Sequence, residues 1–161
     1  MTTKKSWHEK LADGKNLPKI IVCDASMKIA MRWGLKPGDT FVIGKPLDVD
    51  AIMRRVPAGK LLTINEVRKA LAAQYGTTTA CPITTGIFCW IAAYAAEEEL
   101  QEGKSDVTPY WRILKSDGEV NQKYPGGVDL QKQRLEAEGH RLVQKGKKWI
   151  VENYRQALVK I

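Results

Sequence analysis

The sequence of 161 residues lacks any long apolar run. No stretch approaches the roughly 20 apolar residues that are needed to cross a bilayer. The amino terminus leads into Trp7 and His8 rather than into the apolar core of a secretion signal. The absence of both kinds of segment predicts a soluble, cytoplasmic protein without a membrane partner.

Cysteine and histidine are both scarce. The three cysteines are an odd number without C-x-x-C spacing, which argues against a disulfide framework and against a zinc site. Cys81 and Cys89 fall on one predicted helix about 12 Å apart, beyond the reach of a disulfide, so both are expected to be free thiols. His8 and His140 are too isolated to form a metal site. We expect neither a metal nor another cofactor.

Acidic side chains are fewer than basic ones. The chain carries 26 lysines and arginines against 18 acidic residues, a formal net charge of +8. Clustered cations gain affinity for phosphates through the release of counterions. The charge therefore favours a polyanionic partner, and the length is that of one domain with a sizeable core.

The first 48 residues predict a small extension. A short amphipathic helix within residues 1–17 is expected to end near Asp13. Two β-branched runs, at 20–23 and 40–43, are typical of short strands, with a helical turn or two between them. We expect these strands to pair with a β-hairpin predicted at 141–151.

Three helices follow. Apolar spacing predicts the first over 49–56, and Thr63 with Glu66 forms a capping box for the second, which ends at Gly76. Pro82 suits the first turn of the third. Its apolar stripe is expected to face the core: Ile83, Ile87, Trp90, Ile91 and Tyr94. The opposite side is slim, and suits close approach to a neighbouring element or to a nucleic acid: Cys81, Thr84, Thr85, Gly86 and Cys89.

The second half begins with an unusual stretch. Pro109, two adjacent aromatic residues and Arg112 lead into a hairpin-like run at 113–120, and a helix then ends at Gly139. The hairpin at 141–151 and a short closing helix at 154–161 complete the chain. The predicted class is α+β: a winged helix-turn-helix over 49–140, with extensions at 1–48 and 141–161.

Several motifs make residues 49–140 resemble the DNA-binding domain of the alkylguanine-DNA alkyltransferases and of the alkyltransferase-like proteins. The motifs match in order and rough spacing: Val56–Lys60, Thr63–Val67, Pro109–Gly118 (the family's P-C-H-R-V-V-x-S-D-G), Tyr124–Gly127 (Y-x-G-G) and Arg134–His140 (R-x-L-L-x-x-E-G-H). The resemblance implies a protein that binds double-stranded DNA and is linked to repair. A protein partner, on a fold that has lost its repair role, is the alternative.

The departures from the family pattern concern the chemistry. Tyr110 and Trp111 occupy the positions of the acceptor cysteine and its histidine. A phenol with an ordinary pKa near 10 and a neutral indole cannot take an alkyl group as a thiolate does. We therefore expect no enzymatic alkyl transfer. Ile64 and Ile83 stand where the family has a base-flipping tyrosine and an arginine finger, so extrusion of a nucleotide lacks its usual support.

The resemblance nevertheless assigns candidate sites. The degenerate active-site positions are Tyr110, Trp111, Arg112 and Glu138, and the last two are expected to form an ion pair. The DNA-binding candidates are Thr63, Asn65, Thr78, Thr79, Thr84, Thr85, Arg112 and Lys115. The pocket candidates are Tyr110, Trp111, Tyr124, Gly126 and Gly127.

Three questions stay open at this point. The two rings at 110 and 111 either form a stacking platform for a base or plug a disused cavity. The slim side of the third helix either meets DNA or packs against a neighbouring element. A third hypothesis makes Cys81, which lies at a helix amino terminus, or Cys89 a relocated alkyl acceptor.

Overall fold

The computed structural model describes residues 6–161. In chain order the elements are α1 (Trp7–Ala12), β1 (Lys19–Val22), α2 (Lys28–Arg32), β2 (Thr40–Ile43), α3 (Pro46–Met53), β3 (Leu62–Thr63), α4 (Ile64–Tyr75), β4 (Thr79–Ala80), α5 (Pro82–Gln101), a 3₁₀ turn (Tyr110–Arg112), β5 (Ile113–Leu114), α6 (Gly127–Ala137), β6 (Leu142–Lys145), β7 (Lys148–Val151) and α7 (Tyr154–Ala157). The fold is mixed α and β, with helices and small sheets, as the sequence predicted at that level. Within the described residues, no helix combines the length and apolar character that spanning a bilayer requires.

The amino-terminal strands form a sheet with β4, in the order β1-β2-β4. β1 runs antiparallel to β2, with Ile20 opposite Val42, and β2 runs parallel to β4, with Val42 opposite Ala80. The predicted pairing of these strands with the carboxy-terminal hairpin is therefore wrong. The short strand just before α5 takes that place because Val42 and Ala80, both fully buried, bring their apolar side chains to one core.

Helix α1 is held against α5 by polar and aromatic contacts. Ser6 caps it by accepting a hydrogen bond from the Glu9 amide at 3.1 Å. The Trp7 amide donates to the Glu98 carboxylate at 3.1 Å, and the Trp7 ring stacks on Tyr94 at 4.6 Å between centroids. A capped first turn with its free N–H groups satisfied stabilises a helix of only six residues.

The main core lies between α3, α4 and α5. The side of α5 that faces this core is the one with small side chains, not the predicted apolar stripe. Thr85, Cys89 and the alanines at 92, 93, 95 and 96 are buried, whereas Ile83 and Ile87 are 57% and 44% exposed. The prediction that Ile83 and Ile87 face the core is therefore wrong. The small side chains on the buried side allow α5 to pack closely on its neighbours.

A second short pairing joins β3 to β5 in parallel, with Leu62 opposite Ile113. The run at 113–120 is thus not the simple two-stranded hairpin that was expected. Its turn is closed by hydrogen bonds from Gly118 N–H to the Lys115 carbonyl and from Lys115 N–H to the Glu119 carbonyl, both 2.9 Å. Glu119 then bridges Ile150 of β7, so this segment links β3, which leads into α4, to the carboxy-terminal hairpin.

The carboxy-terminal hairpin forms as predicted, with β6 antiparallel to β7. The expected closing helix over 154–161 is shorter, since α7 ends at Ala157. The chain then becomes extended, and Leu158 forms a parallel bridge with Leu61. Leu61 is fully buried, and this pairing ties the end of the chain to the segment that precedes α4.

Candidate functional site

Tyr110 occupies the centre of the candidate site and is completely buried. Its ring makes edge-to-face contacts with Trp111 and Tyr124, at 5.4 and 5.3 Å between centroids. Its hydroxyl donates to Glu97 at 2.7 Å and accepts from Arg134 at 3.1 Å. Burial, and then the hydrogen bond to Glu97, raises the pKa of Tyr110 well above its ordinary value. The phenol is therefore neutral and is packed into the interior of the protein.

An ion pair between α5 and α6 covers this tyrosine. Arg134 lies 2.5 Å from Glu97, and its guanidinium carbon is 4.9 Å from the centre of the Trp111 ring. A cation over an indole face is attracted by the ring's quadrupole. Glu97 and Arg134 therefore close the site from two helices, and neither was among the predicted site residues, although Arg134 belongs to a matched motif.

Glu138, just after α6, accepts hydrogen bonds from side chains of the 3₁₀ turn. It accepts hydrogen bonds from Arg112 Nε at 3.0 Å and Nη2 at 2.8 Å, from Trp111 Nε1 at 2.8 Å and from the Gly59 amide at 3.1 Å. Burial by itself raises the pKa of Glu138, but these donors outweigh it and hold the pKa below its usual value. The predicted Arg112–Glu138 ion pair is present, with both side chains 14% exposed.

Gln131 is a buried polar residue that the sequence did not signal. Its carbonyl oxygen accepts from the Asn121 amide at 2.8 Å, and its amide donates to the Trp111 carbonyl at 3.1 Å. A lone glutamine on a polar helix has no distinguishing pattern, so only the fold identifies it. It fixes the loop before Tyr124 against the 3₁₀ turn.

Gly126, the first glycine of the pair that follows Tyr124 and Pro125, is required by the geometry of the chain. Gly126 has φ +74°, and a Cβ there would lie 2.5 Å from Leu130. Any other residue is both strained and obstructed at this point. Gly126 turns the chain into α6, which begins at Gly127, and Tyr124 is thereby held under the loop, where it is buried.

The predicted pocket residues do not surround one cavity. A pocket of about 160 Å³ lies beside Tyr124, lined by Ile64, Gly86, Cys89, Ile113, Leu114, Lys115 and Asn121. Trp111 and Arg112 line a separate surface cleft with Arg54, and Gly126 lines a third with Trp7. A cavity of about 150 Å³ accommodates benzene, so the space beside Tyr124 is large enough for a single aromatic ring.

The predicted DNA-binding residues lie in different environments. Thr63 and Thr85 are buried, and their hydroxyls donate to the Glu66 carboxylate and to the Cys81 carbonyl. Thr63 thus holds the N-cap position of α4 with its hydroxyl on the Glu66 side chain rather than on a backbone amide. Arg112 is bound by Glu138 and by the Val56 carbonyl at 2.7 Å. These three side chains are engaged within the protein.

The other candidates lie nearer the surface. Thr78 is exposed, while Asn65, Thr79, Thr84 and Lys115 are half-buried. Arg68 joins two of them, since it bonds Asn65 at 3.4 Å, Thr79 at 3.2 Å and the Ala80 carbonyl at 3.0 Å. Sequence reasoning missed Arg68, which fixes the start of α4 to the strand that leads into α5.

All three cysteines are free and buried. Burial raises the pKa of the Cys89 thiol to about 12, so it is not a thiolate at neutral pH. Cys81 holds the N-cap position of α5 and is only 5% exposed. Within residues 6–161, no group of three or more potential ligands is placed to hold a metal ion.

Comparisons with known proteins found similar structures. No protein-family model and no curated protein sequence matches the chain. Two solved structures match over 72% of this chain and 94% of theirs, each at 21% identity. One is S. pombe Atl1 in complex with damaged DNA containing O6-carboxymethylguanine, with a TM-score of 0.50. The other is S. pombe ATL in complex with DNA, with a TM-score of 0.52. The chain is therefore similar in fold to the alkyltransferase-like protein of S. pombe, as the motifs of residues 49–140 had indicated.

Proposed function

We propose that this protein binds duplex DNA without catalysing alkyl transfer, in a role linked to DNA repair. The observation that carries the proposal is the likeness of fold to a protein whose structures were solved on DNA. The net charge of +8 supports it, because duplex binding depends strongly on neutralising phosphates.

The proposed DNA-binding face is the start of α4, the amino-terminal half of α5 and Lys115. In this proposal α4 and α5 form the helix-turn-helix, and the Ser116–Gly118 turn is the wing. Ile83 and Ile87 project from α5, with Thr84 between them. Lys115 lies beside Gly86 on the rim of the small pocket. Apolar side chains that project from a DNA-binding helix contact base edges or insert at base steps.

The proposed lack of alkyl transfer follows from the state of the candidate site. Tyr110 is a buried, neutral phenol under the Glu97–Arg134 pair, and Trp111 donates its indole N–H to Glu138. Neither group is a nucleophile in this environment. Tyr110 fills the interior of the site, where it is completely buried. Incubation with DNA containing an alkylated guanine should leave the intact mass of the protein unchanged, and an added alkyl group would refute this part.

Duplex binding is tested by fluorescence anisotropy over a salt series. The affinity should fall steeply between about 50 and 200 mM salt. Lys115→Ala should weaken binding on all sequences and lower the salt slope by about one. Ile83→Glu should weaken it further, because it places a carboxylate against phosphates.

Ile29→Glu, the same change on an exposed isoleucine of α2 (58% exposed), is the matched control and should bind DNA like the wild type. Absence of binding at low salt would overturn the proposal. Equal losses in the Ile83 and Ile29 variants would overturn the assignment of the face.

A further inference from the structure

The amino-terminal part of the chain exposes large apolar side chains at high density. Ile20 and Val22 on β1 and Ile29 and Met31 on α2 are all between 43% and 59% exposed. A pocket of about 400 Å³ lies on this part of the surface, lined by Ser26, Met27, Lys28, Ile29, Ala30, Trp33 and Phe41. Ile29 lines this pocket, whereas Ile20 and Val22 lie on the other face of the sheet, because side chains alternate along a strand and Ile21 is the residue opposite Phe41. An apolar groove on a protein surface is typical of an interaction site. These lining residues are called the α2 groove below.

The floor of the α2 groove is firmly supported. Phe41 lies on β2, which pairs with β1 on one side and β4 on the other. Its ring meets Trp33 edge to face at 5.3 Å. Beneath them Cys23, Leu35 and Cys81 form a small buried cluster with Ala30. The aromatic floor is thus preformed, while Met27 is a flexible side chain that can adapt to an occupant.

The rim of the groove is basic. Lys28 lines it, Arg32 follows one helical turn later, and Lys36 lies just beyond Leu35; all three are exposed. The acidic residues nearby are used locally. Asp24 accepts from the Ser26 amide at 2.8 Å and from its hydroxyl, and Asp39 accepts from the Lys36 amide at 2.9 Å. These hydrogen bonds leave both carboxylates charged, so the positive side of the groove is the α2 side, where Lys28 and Arg32 lie.

We propose that the α2 groove docks an acidic amphipathic helix of a partner protein. Apolar side chains at helical spacing would enter the groove over Trp33 and Phe41, and carboxylates on the flanks would meet Lys28, Arg32 and Lys36. A DNA backbone matches the basic rim but leaves the apolar floor unfilled. The proposal does not depend on the DNA-binding face, which lies on other elements.

The test uses the full chain and a labelled synthetic peptide with leucine and phenylalanine at helical spacing and glutamate elsewhere. Anisotropy should show saturable binding that weakens as salt rises. A peptide with lysine in place of glutamate should bind at least about tenfold more weakly. Ile29→Glu should cause a loss of about tenfold or more, because it removes an apolar contact and adds a like charge.

Two controls separate this surface from others. Leu47→Glu makes the same change on α3, at a residue that is 49% exposed, and should leave peptide binding unchanged. Ile83→Glu should also bind the peptide normally while it loses DNA affinity. Far-ultraviolet circular dichroism confirms that each variant is folded.

The outcomes that overturn the proposal are specific. Absence of saturable binding up to about 1 mM peptide would do so, as would equal binding of the glutamate and lysine peptides. A lower solution mass for Ile29→Glu than for the wild type would instead make the groove an interface between two copies of this chain. If vesicles of anionic lipid or duplex DNA bound the wild type but not Ile29→Glu, the α2 groove would be assigned to that ligand instead.

Discussion

Removal of the Glu138 carboxylate should destabilise the fold more than removal of any exposed acidic residue. Glu138 accepts hydrogen bonds from Arg112, Trp111 and the Gly59 amide, and it and Arg112 are each only 14% exposed. Glu138→Ala leaves a nearly buried guanidinium with the Val56 carbonyl and an indole N–H without its acceptor. Breaking a buried pair in this way costs about 3 to 5 kcal/mol.

Partial exposure places the expected loss for Glu138→Ala at the low end, about 3 kcal/mol. For a chain of this size that loss lowers Tm by about 6 to 12 °C. Urea unfolding followed by tryptophan fluorescence measures the free energy of unfolding, and circular dichroism measures Tm. Removal of both Arg112 and Glu138 should cost less than the sum of the single changes, since each single variant leaves a charge without its partner.

The matched control is Glu152→Ala. Glu152 also pairs with an arginine, Arg141 at 3.6 Å, but these side chains are 43% and 83% exposed. An exposed pair of this kind contributes less than about 1 kcal/mol. If Glu138→Ala were no more destabilising than Glu152→Ala, the central role given to Glu138 would be refuted.

Two further predictions concern the same site. Tyr110→Phe removes the hydroxyl between Glu97 and Arg134, which remain paired, so we expect a loss of about 1 to 2 kcal/mol in urea unfolding; a variant as stable as the wild type would contradict the buried hydrogen bonds. Acid should destabilise the fold in two steps, because the pKa of His140 lies below 6.5 through burial and that of Glu138 below 4.5. Stability linked to His140 is lost as pH falls from 6.5, and stability linked to Glu138 is present above pH 4.5 and lost as pH falls through its lower folded pKa. Urea midpoints across this range should show His140→Gln flattening the first step and Glu138→Gln the second.

The sequence was informative where local chemistry decides the structure. Pro82 opens α5, Gly76 ends α4 in a left-handed conformation, and two apolar runs around Gly146 form the carboxy-terminal hairpin. These features depend on neighbours within a few residues. The resemblance of residues 49–140 to a known family likewise needed only the order of the motifs.

The sequence did not predict which distant segments pair with each other. The two-residue strand β4 was not predicted, and its pairing with β2 depends on which apolar faces can be buried together. The face of α5 was misjudged for the same reason: spacing identifies an apolar stripe, but the shape of the neighbouring helices decided that the alanine and cysteine side packs inward. Ile83 and Ile87 were thereby left on the surface.

The sequence alone determined that two adjacent aromatic residues, Tyr110 and Trp111, stand at the candidate site. Only the tertiary structure decided what those residues do, because the burial of a side chain and the partners of its polar atoms come from segments far apart in the chain. Glu97, Arg134 and Tyr124 surround Tyr110, which is completely buried. The fold also brought Met27, Trp33 and Phe41 together in a groove.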